Sequence, residues 1–186
     1  MSQKRDLAAD LGAIILTGGA SSRMGADKAR LDWKGARAVD RCAALSRKVG
    51  AGEVLTVGRQ GFGYRHARDE TQSCGPVGGI VTGAMTLATL GCRRALVLAV
   101  DAPTIEPADL APLLGAPGAG AAFAELYLPL VFDLGRLPAD AAPSWPVRRF
   151  VERAGLALLD CSAEQAERLR GANTPAERDR LLAAIS

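Results

Sequence analysis

The chain has 186 residues, of which 48% are apolar, and a formal net charge of +3 with acids and bases interspersed. That length suits one domain able to bury a real core. No apolar run approaches the roughly 20 residues that span a bilayer, and the even charge balance gives no reason to expect a nucleic-acid partner.

The charged start "MSQKRDLAAD" runs straight into a strand-like segment and does not read as a signal peptide. Residues 1–11 are expected to form a flexible extension on a single domain spanning 1–186. Cys42, Cys74, Cys92 and Cys161 are widely scattered, with no C-x-x-C pair or Cys/His cluster. This argues against zinc and against a disulfide framework, and it fits a reducing cytoplasm. A Ser–His or Cys–His nucleophile system would have to use His66, the only histidine, which lies among charged residues without local support.

"GAIILT" (12–17) is a buried-strand candidate, and "RAVDRCAALSRKV" (37–49) has helical spacing of Val39, Cys42, Ala43, Leu45 and Val49. "EVLTVG" (53–58) reads as a second strand, followed by a loop rich in glycine and charge to about Gly75. "GGIVTGAMTLATLG" (78–91) reads as a helix, "ALVLAV" (95–100) as the clearest buried strand, and "EPADLAPLLG" (106–115) as a short helix closed by glycine. "GAPGAGAA" (115–122) reads as a flexible connection. Two strand-like runs nearly touch in "GAAFAELYLPLVFD" (120–133), an antiparallel excursion on the sheet. "VRRFVERAG" (147–155) and "TPAERDRLLAAI" (174–185) are helices, the second opening with Thr174, Pro175 and Glu177 as a capping box. The alternation predicts an α/β fold of three α/β/α layers around a Rossmann-like, doubly wound, mostly parallel sheet.

In such a sheet, ligands bind outside the carboxyl ends of the strands. "TGGASSRMGADK" follows the first strand and places Gly18 and Gly19 at that end, with Arg23 and Lys28 behind them. Glycines let backbone N–H groups approach an anion, and the two cations suit phosphate oxygens. The loop reads as a polyphosphate cradle or as a plain strand-to-helix turn with surface cations. It is neither a P-loop, because Ala-Asp-Lys-Ala follows Gly25, nor a G-x-G-x-x-G fingerprint. Asp101 follows the strand 95–100, so its carboxylate should emerge at the same edge as Gly18. Beside a phosphate cradle it suits Mg²⁺, which is bound through one or two carboxylates plus phosphates. The alternative is a cap on the next helix.

"LTGGASSRMGADKARL" resembles the signature L-A-G-G-x-S-x-R-M-G-x-D-K-x-x-L of the molybdenum cofactor guanylyltransferases, with Thr17 in place of the usual alanine. Four further blocks follow in the family's order: "GPVGGI" (75–80), "AVDAP" (99–103), "PLVF" (129–132) and "NTP" (173–175). The resemblance implies the nucleotide-diphospho-sugar transferase type of fold and transfer of GMP from GTP to the terminal phosphate of molybdopterin, with Mg²⁺ and release of pyrophosphate. It implies nucleotide contacts from Leu16, Thr17, Gly18, Gly19, Arg23, Lys28, Thr56, Asp69 and Asp101. Among these it assigns catalysis to Arg23, Lys28 and Asp101, and the metal to Asp101; Gly79 and Asn173 would face the acceptor. Guanylyltransferases read L-x-G-G where their cytidylyltransferase relatives read L-A-A-G, so Gly18 is the position that distinguishes the base. A cytidylyltransferase, another nucleotidyltransferase with a different phosphorylated acceptor, or a non-catalytic carrier of the cofactor are the alternatives. The expected enzyme is a monomer, with molybdoenzymes or their chaperones as further partners. Two departures stand out. Gly171 occupies a position where several members carry asparagine, and the stretch between Asp101 and "PLVF" is about ten residues shorter than the family's.

Overall fold

The computed structural model describes residues 10–18, 27–68, 75–102, 104–172 and 174–184. Seven strands form one sheet: β1 (Leu11–Leu16), β2 (Glu53–Val57), β3 (Arg65–Ala67), β4 (Arg94–Ala99), β5 (Gly120–Phe123), β6 (Leu130–Asp133) and β7 (Ala157–Leu159). Among the described residues six α-helices accompany them: α1 (Ala38–Lys48), α2 (Pro76–Thr89), α3 (Pro107–Gly115), α4 (Val147–Ala154), α5 (Ala163–Leu169) and α6 (Pro175–Ala184). A 3₁₀ turn covers Lys28–Arg30. β1 begins at Leu11 and Arg93 donates to the Asp10 carbonyl, so the last residues of the expected extension 1–11 belong to the fold.

The strand order is β3-β2-β1-β4-β6-β5-β7. Every pairing is parallel except those of β6, which runs antiparallel to both β4 and β5. The excursion expected in 120–133 is therefore this one reversed strand, and only residues 116–119 of "GAPGAGAA" connect α3 to β5.

All six residues of β1 are buried, as a central parallel strand covered on both faces requires. Its side chains alternate between two cores. Ala13 and Ile15 pack with Leu96 and Leu98 of β4 against Val39 and Ala43 of α1 and Leu110 and Leu113 of α3. Ile14 and Leu16 pack with Val57 and Val97 against Ile80, Ala84 and Leu87 of α2 and Phe150 and Val151 of α4. The result is the expected three-layer arrangement, and it leaves the carboxyl edge of β1, β2 and β4 at one rim.

α2 lies close on β1 because its inward face carries small residues. A Cβ at Gly83 would sit 2.8 Å from both Cδ1 and Cγ2 of Ile14, and one at Gly79 would sit 2.8 Å from Cδ2 of Leu16. Alanine gains up to about 1 kcal/mol over glycine in a helix, whereas overpacking costs typically about 1–3 kcal/mol. Gly83→Ala is therefore expected to lower stability by up to about 2 kcal/mol in urea unfolding, the packing loss exceeding the propensity gain.

Candidate active site

β1 and β4 are paired in register, with Leu16 opposite Ala99. The segments that leave them carry Thr17 and Gly18 on one side and Asp101 on the other. On β1's other side Leu16 is opposite Val57, so the turn after β2 joins the same rim.

That turn clamps the start of the glycine loop. The Thr17 backbone N–H donates to the Val57 carbonyl at 2.9 Å. The buried Thr17 hydroxyl lies 3.0 Å from both the Val57 and Arg59 carbonyls, to which it donates. Gly58 adopts φ +111°, and a Cβ there would lie 2.5 Å from the Gly18 nitrogen, so only glycine permits this backbone contact. A Cβ on Gly18 itself would meet the Gly58 Cα at 3.5 Å, an ordinary contact. The signal for Gly58 was the glycine directly after "EVLTV".

Beyond the loop, Asp27 caps the 3₁₀ turn by accepting from the Ala29 N–H at 3.1 Å, and it faces Arg30 at 3.5 Å and Arg59 at 3.8 Å. The aspartate of the Asp-Lys pair thus shapes the turn that presents Lys28. The Lys28 ammonium donates to the Ala172 carbonyl at 2.9 Å and lies 3.7 Å from Oδ2 of Asp101. Three chain segments far apart in sequence, after β1, β4 and α5, meet at this point.

Asp101 does not cap a helix. α3 starts at Pro107 with Glu106 as its N-cap, and Asp109 accepts from the Glu106 N–H at 3.0 Å. Cys42 stands behind the rim with its Sγ 3.8 Å from the Ala99 carbonyl. Burial, with the Asp101 charge second, pushes its thiol up to about 12, so it stays protonated and is no nucleophile.

Three further expected residues are set into the sheet and its packing. Thr56 is 1% exposed on β2, and its hydroxyl is turned toward β3, 3.3 Å from Nδ1 of His66 and 3.4 Å from the Arg65 carbonyl. Burial, with the Arg68 charge second, holds His66 below its ordinary pKa. Gly79 is buried, and a Cβ there would meet Leu16 and Val57. Leu16 is a core residue of the α2 face. Gly19, Arg23, Asp69 and Asn173 lie outside the described residues. The capping box at α6 forms as expected: the Thr174 N–H donates to Glu177 at 2.9 Å, and the Glu177 N–H donates to the Thr174 hydroxyl at 3.2 Å.

Residues 13–139, more than half of the chain, match the MobA-like NTP transferase domain. The chain belongs to this family. A molybdenum cofactor guanylyltransferase from Xanthomonas euvesicatoria pv. vesicatoria (strain 85-10) is 31% identical over 182 residues, covering 91% of this chain and 93% of the relative. A probable molybdenum cofactor guanylyltransferase from Opitutus terrae is 39% identical over 106 residues, 54% of this chain and 52% of the relative. The solved structure of a nucleotidyl transferase from Methanothermobacter thermautotroptrophicus superposes with a TM-score of 0.72 at 18% identity, covering 94% of this chain and 97% of that one, a likeness of fold. No helix among the described residues is long and apolar enough to cross a membrane.

The usual alanine of the family signature is Thr17 here, and its hydroxyl ties two loops together. Thr17→Ala is expected to lower stability by about 1 kcal/mol, the worth of one buried hydrogen bond. Thermal unfolding measures that loss.

Proposed function

We propose that this MobA-like transferase moves the GMP group of GTP onto the terminal phosphate of molybdopterin, with pyrophosphate as the leaving group. The observation that carries the reading is the convergence of Lys28 and Asp101 at the rim, in a chain similar along nearly its whole length to a named guanylyltransferase. An oxygen of the acceptor phosphate attacks the α-phosphorus of GTP, and the bond from that phosphorus to the oxygen bridging to the β-phosphate breaks.

The acceptor oxygen is already anionic, so no strong protein base is needed. Positioning and charge neutralisation carry the catalysis. Lys28 binds phosphate oxygens as a point charge, and Arg23 with the amides around Gly18 and Gly19 supplies further donors. Asp101 is the residue that would hold Mg²⁺. The fit rests on its donor set: a single carboxylate, partly open to solvent, beside an ammonium group. No group of three or more His, Cys, Asp or Glu that could cage a metal exists among the described residues, and Mg²⁺ needs only one or two carboxylates when phosphates complete its shell. Mg²⁺ bound there supplies charge neutralisation on the phosphates. Asp69 would contact the base and Asn173 the pterin, both by resemblance to the family.

Incubation with labelled GTP, Mg²⁺ and molybdopterin should give the guanine dinucleotide and pyrophosphate. Asp101→Asn should lower that rate roughly 10-fold or more, because one charged group at the reacting phosphates is lost. Transfer at the unaltered rate would remove Asp101 from the mechanism.

Base choice gives a second test. Among the described residues a methyl group at Gly18 would meet only the Gly58 Cα, at an ordinary 3.5 Å, so an effect of Gly18→Ala on base choice points to the ligand. The variant is expected to lose about 1–3 kcal/mol of transition-state binding with GTP, the range for a methyl-sized misfit. The ratio of kcat/KM for GTP over CTP should fall with it. An unchanged ratio would move base selection away from Gly18.

A further inference from the structure

We infer that Gly171 is a positioning residue for Asp101: its missing side chain is the space in which the Asp101 carboxylate sits. A Cβ built on Gly171 would lie 2.5 Å from Cγ of Asp101 and 2.8 Å from each carboxylate oxygen. The backbone of Gly171 is not in the left-handed region, so conformation does not require glycine there. The requirement is purely one of space.

The backbone at this point is pinned on both sides and cannot retreat. On the C-terminal side, Ala172 is 2% exposed, its N–H donates to the Asp101 carbonyl at 2.8 Å, and its own carbonyl accepts from Lys28. On the N-terminal side, Leu169 is buried in the core, and the Arg168 carbonyl accepts from the Thr104 hydroxyl at 2.9 Å. The Arg168 guanidinium also grips the buried Asp109 carboxylate through Nε and Nη2, at 2.8–3.2 Å. A side chain at 171 would therefore move the softer partner. The Asp101 carboxylate would rotate away from its place beside Lys28 while the fold stayed intact.

This inference rests on Asp101 as the metal-holding group, and the experiment separates the two ideas. GTP binding is measured by calorimetry with and without Mg²⁺ for the unaltered protein, Gly171→Ala, Asp101→Ala and the double variant, with thermal unfolding of each. Gly171→Ala should bind GTP without Mg²⁺ as the unaltered protein does. It should lose roughly 10-fold or more of the affinity that Mg²⁺ adds, the usual scale for disturbing a residue that orients a metal ligand. The double variant should be no worse than Asp101→Ala, because residues acting through one another are not additive. If Asp101→Ala loses the Mg²⁺ gain while Gly171→Ala keeps it, the positioning role is overturned and the metal role of Asp101 stands. If Asp101→Ala keeps the gain, both are overturned. A large drop in the unfolding midpoint of Gly171→Ala, with GTP binding lost even without Mg²⁺, would make Gly171 a folding residue and also overturn the inference.

Discussion

The parallel, in-register pairing of β1 with β4 is the constraint on which the rest of the rim depends. Because Leu16 is opposite Ala99, the two strands deliver their following residues to the same edge at the same height. A slip of one residue would turn every side chain of β1 to the other face, exchanging Ile14 and Leu16 with Ala13 and Ile15 between the two cores. The register is therefore held by burial on both faces, far more strongly than any contact at the rim could hold it. The site inherits its precision from the core beneath it.

The central elements were legible because their sequences are controlled by burial. "AIIL" and "ALVLA" are continuous apolar runs of strand length, and α1 carries a helical stripe of Val39, Cys42, Ala43 and Leu45. The edge elements were not legible. β3 and β7 have three residues each: β3 is Arg-His-Ala, with no apolar run, and β7 is too short for a visible alternation, with Ala157 and Leu158 exposed. α5 has seven residues and buries only Leu169, too little for a visible period. At the site, Gly18, Lys28 and Asp101 could be placed at one edge from strand order alone. Contacts between distant segments could not: nothing local in "RGAN" reveals that Gly171 faces Asp101 or that Ala172 bonds to Lys28.

Two positions where the chain departs from the family pattern, Thr17 and Gly171, acquire physical content in this light. Thr17 adds a hydroxyl at a buried position, and the added polar group is satisfied by carbonyls of the turn after β2. Gly171, where the family resemblance implies asparagine in several members, has no side chain, and the volume a Cβ would take is filled by a carboxylate from another segment. Each substitution is matched by a partner that lies some 40 or 70 residues away in sequence, Val57 for Thr17 and Asp101 for Gly171. Such pairings explain why a departure at one position leaves the rim intact.

The Lys28–Asp101 pair is suited to a site that must exchange partners. Its groups are 3.7 Å apart, with side chains 21% and 31% exposed. Water screens a pair of that kind, and its net worth is on the order of 1 kcal/mol or less. A bidentate pair with a buried carboxylate, such as Arg168 on Asp109, is far harder to open because that carboxylate would be stranded out of water. The chain uses the strong type to fasten α5 to α3, and so to fix the backbone at Gly171, and the weak type at the rim where the proposed function places the phosphates. In the proposed reaction Lys28 would turn from Asp101 to the phosphates, and Asp101 is the residue that would hold Mg²⁺. The Ala172 carbonyl, held in place by the core, gives the ammonium a fixed point from which to make that turn.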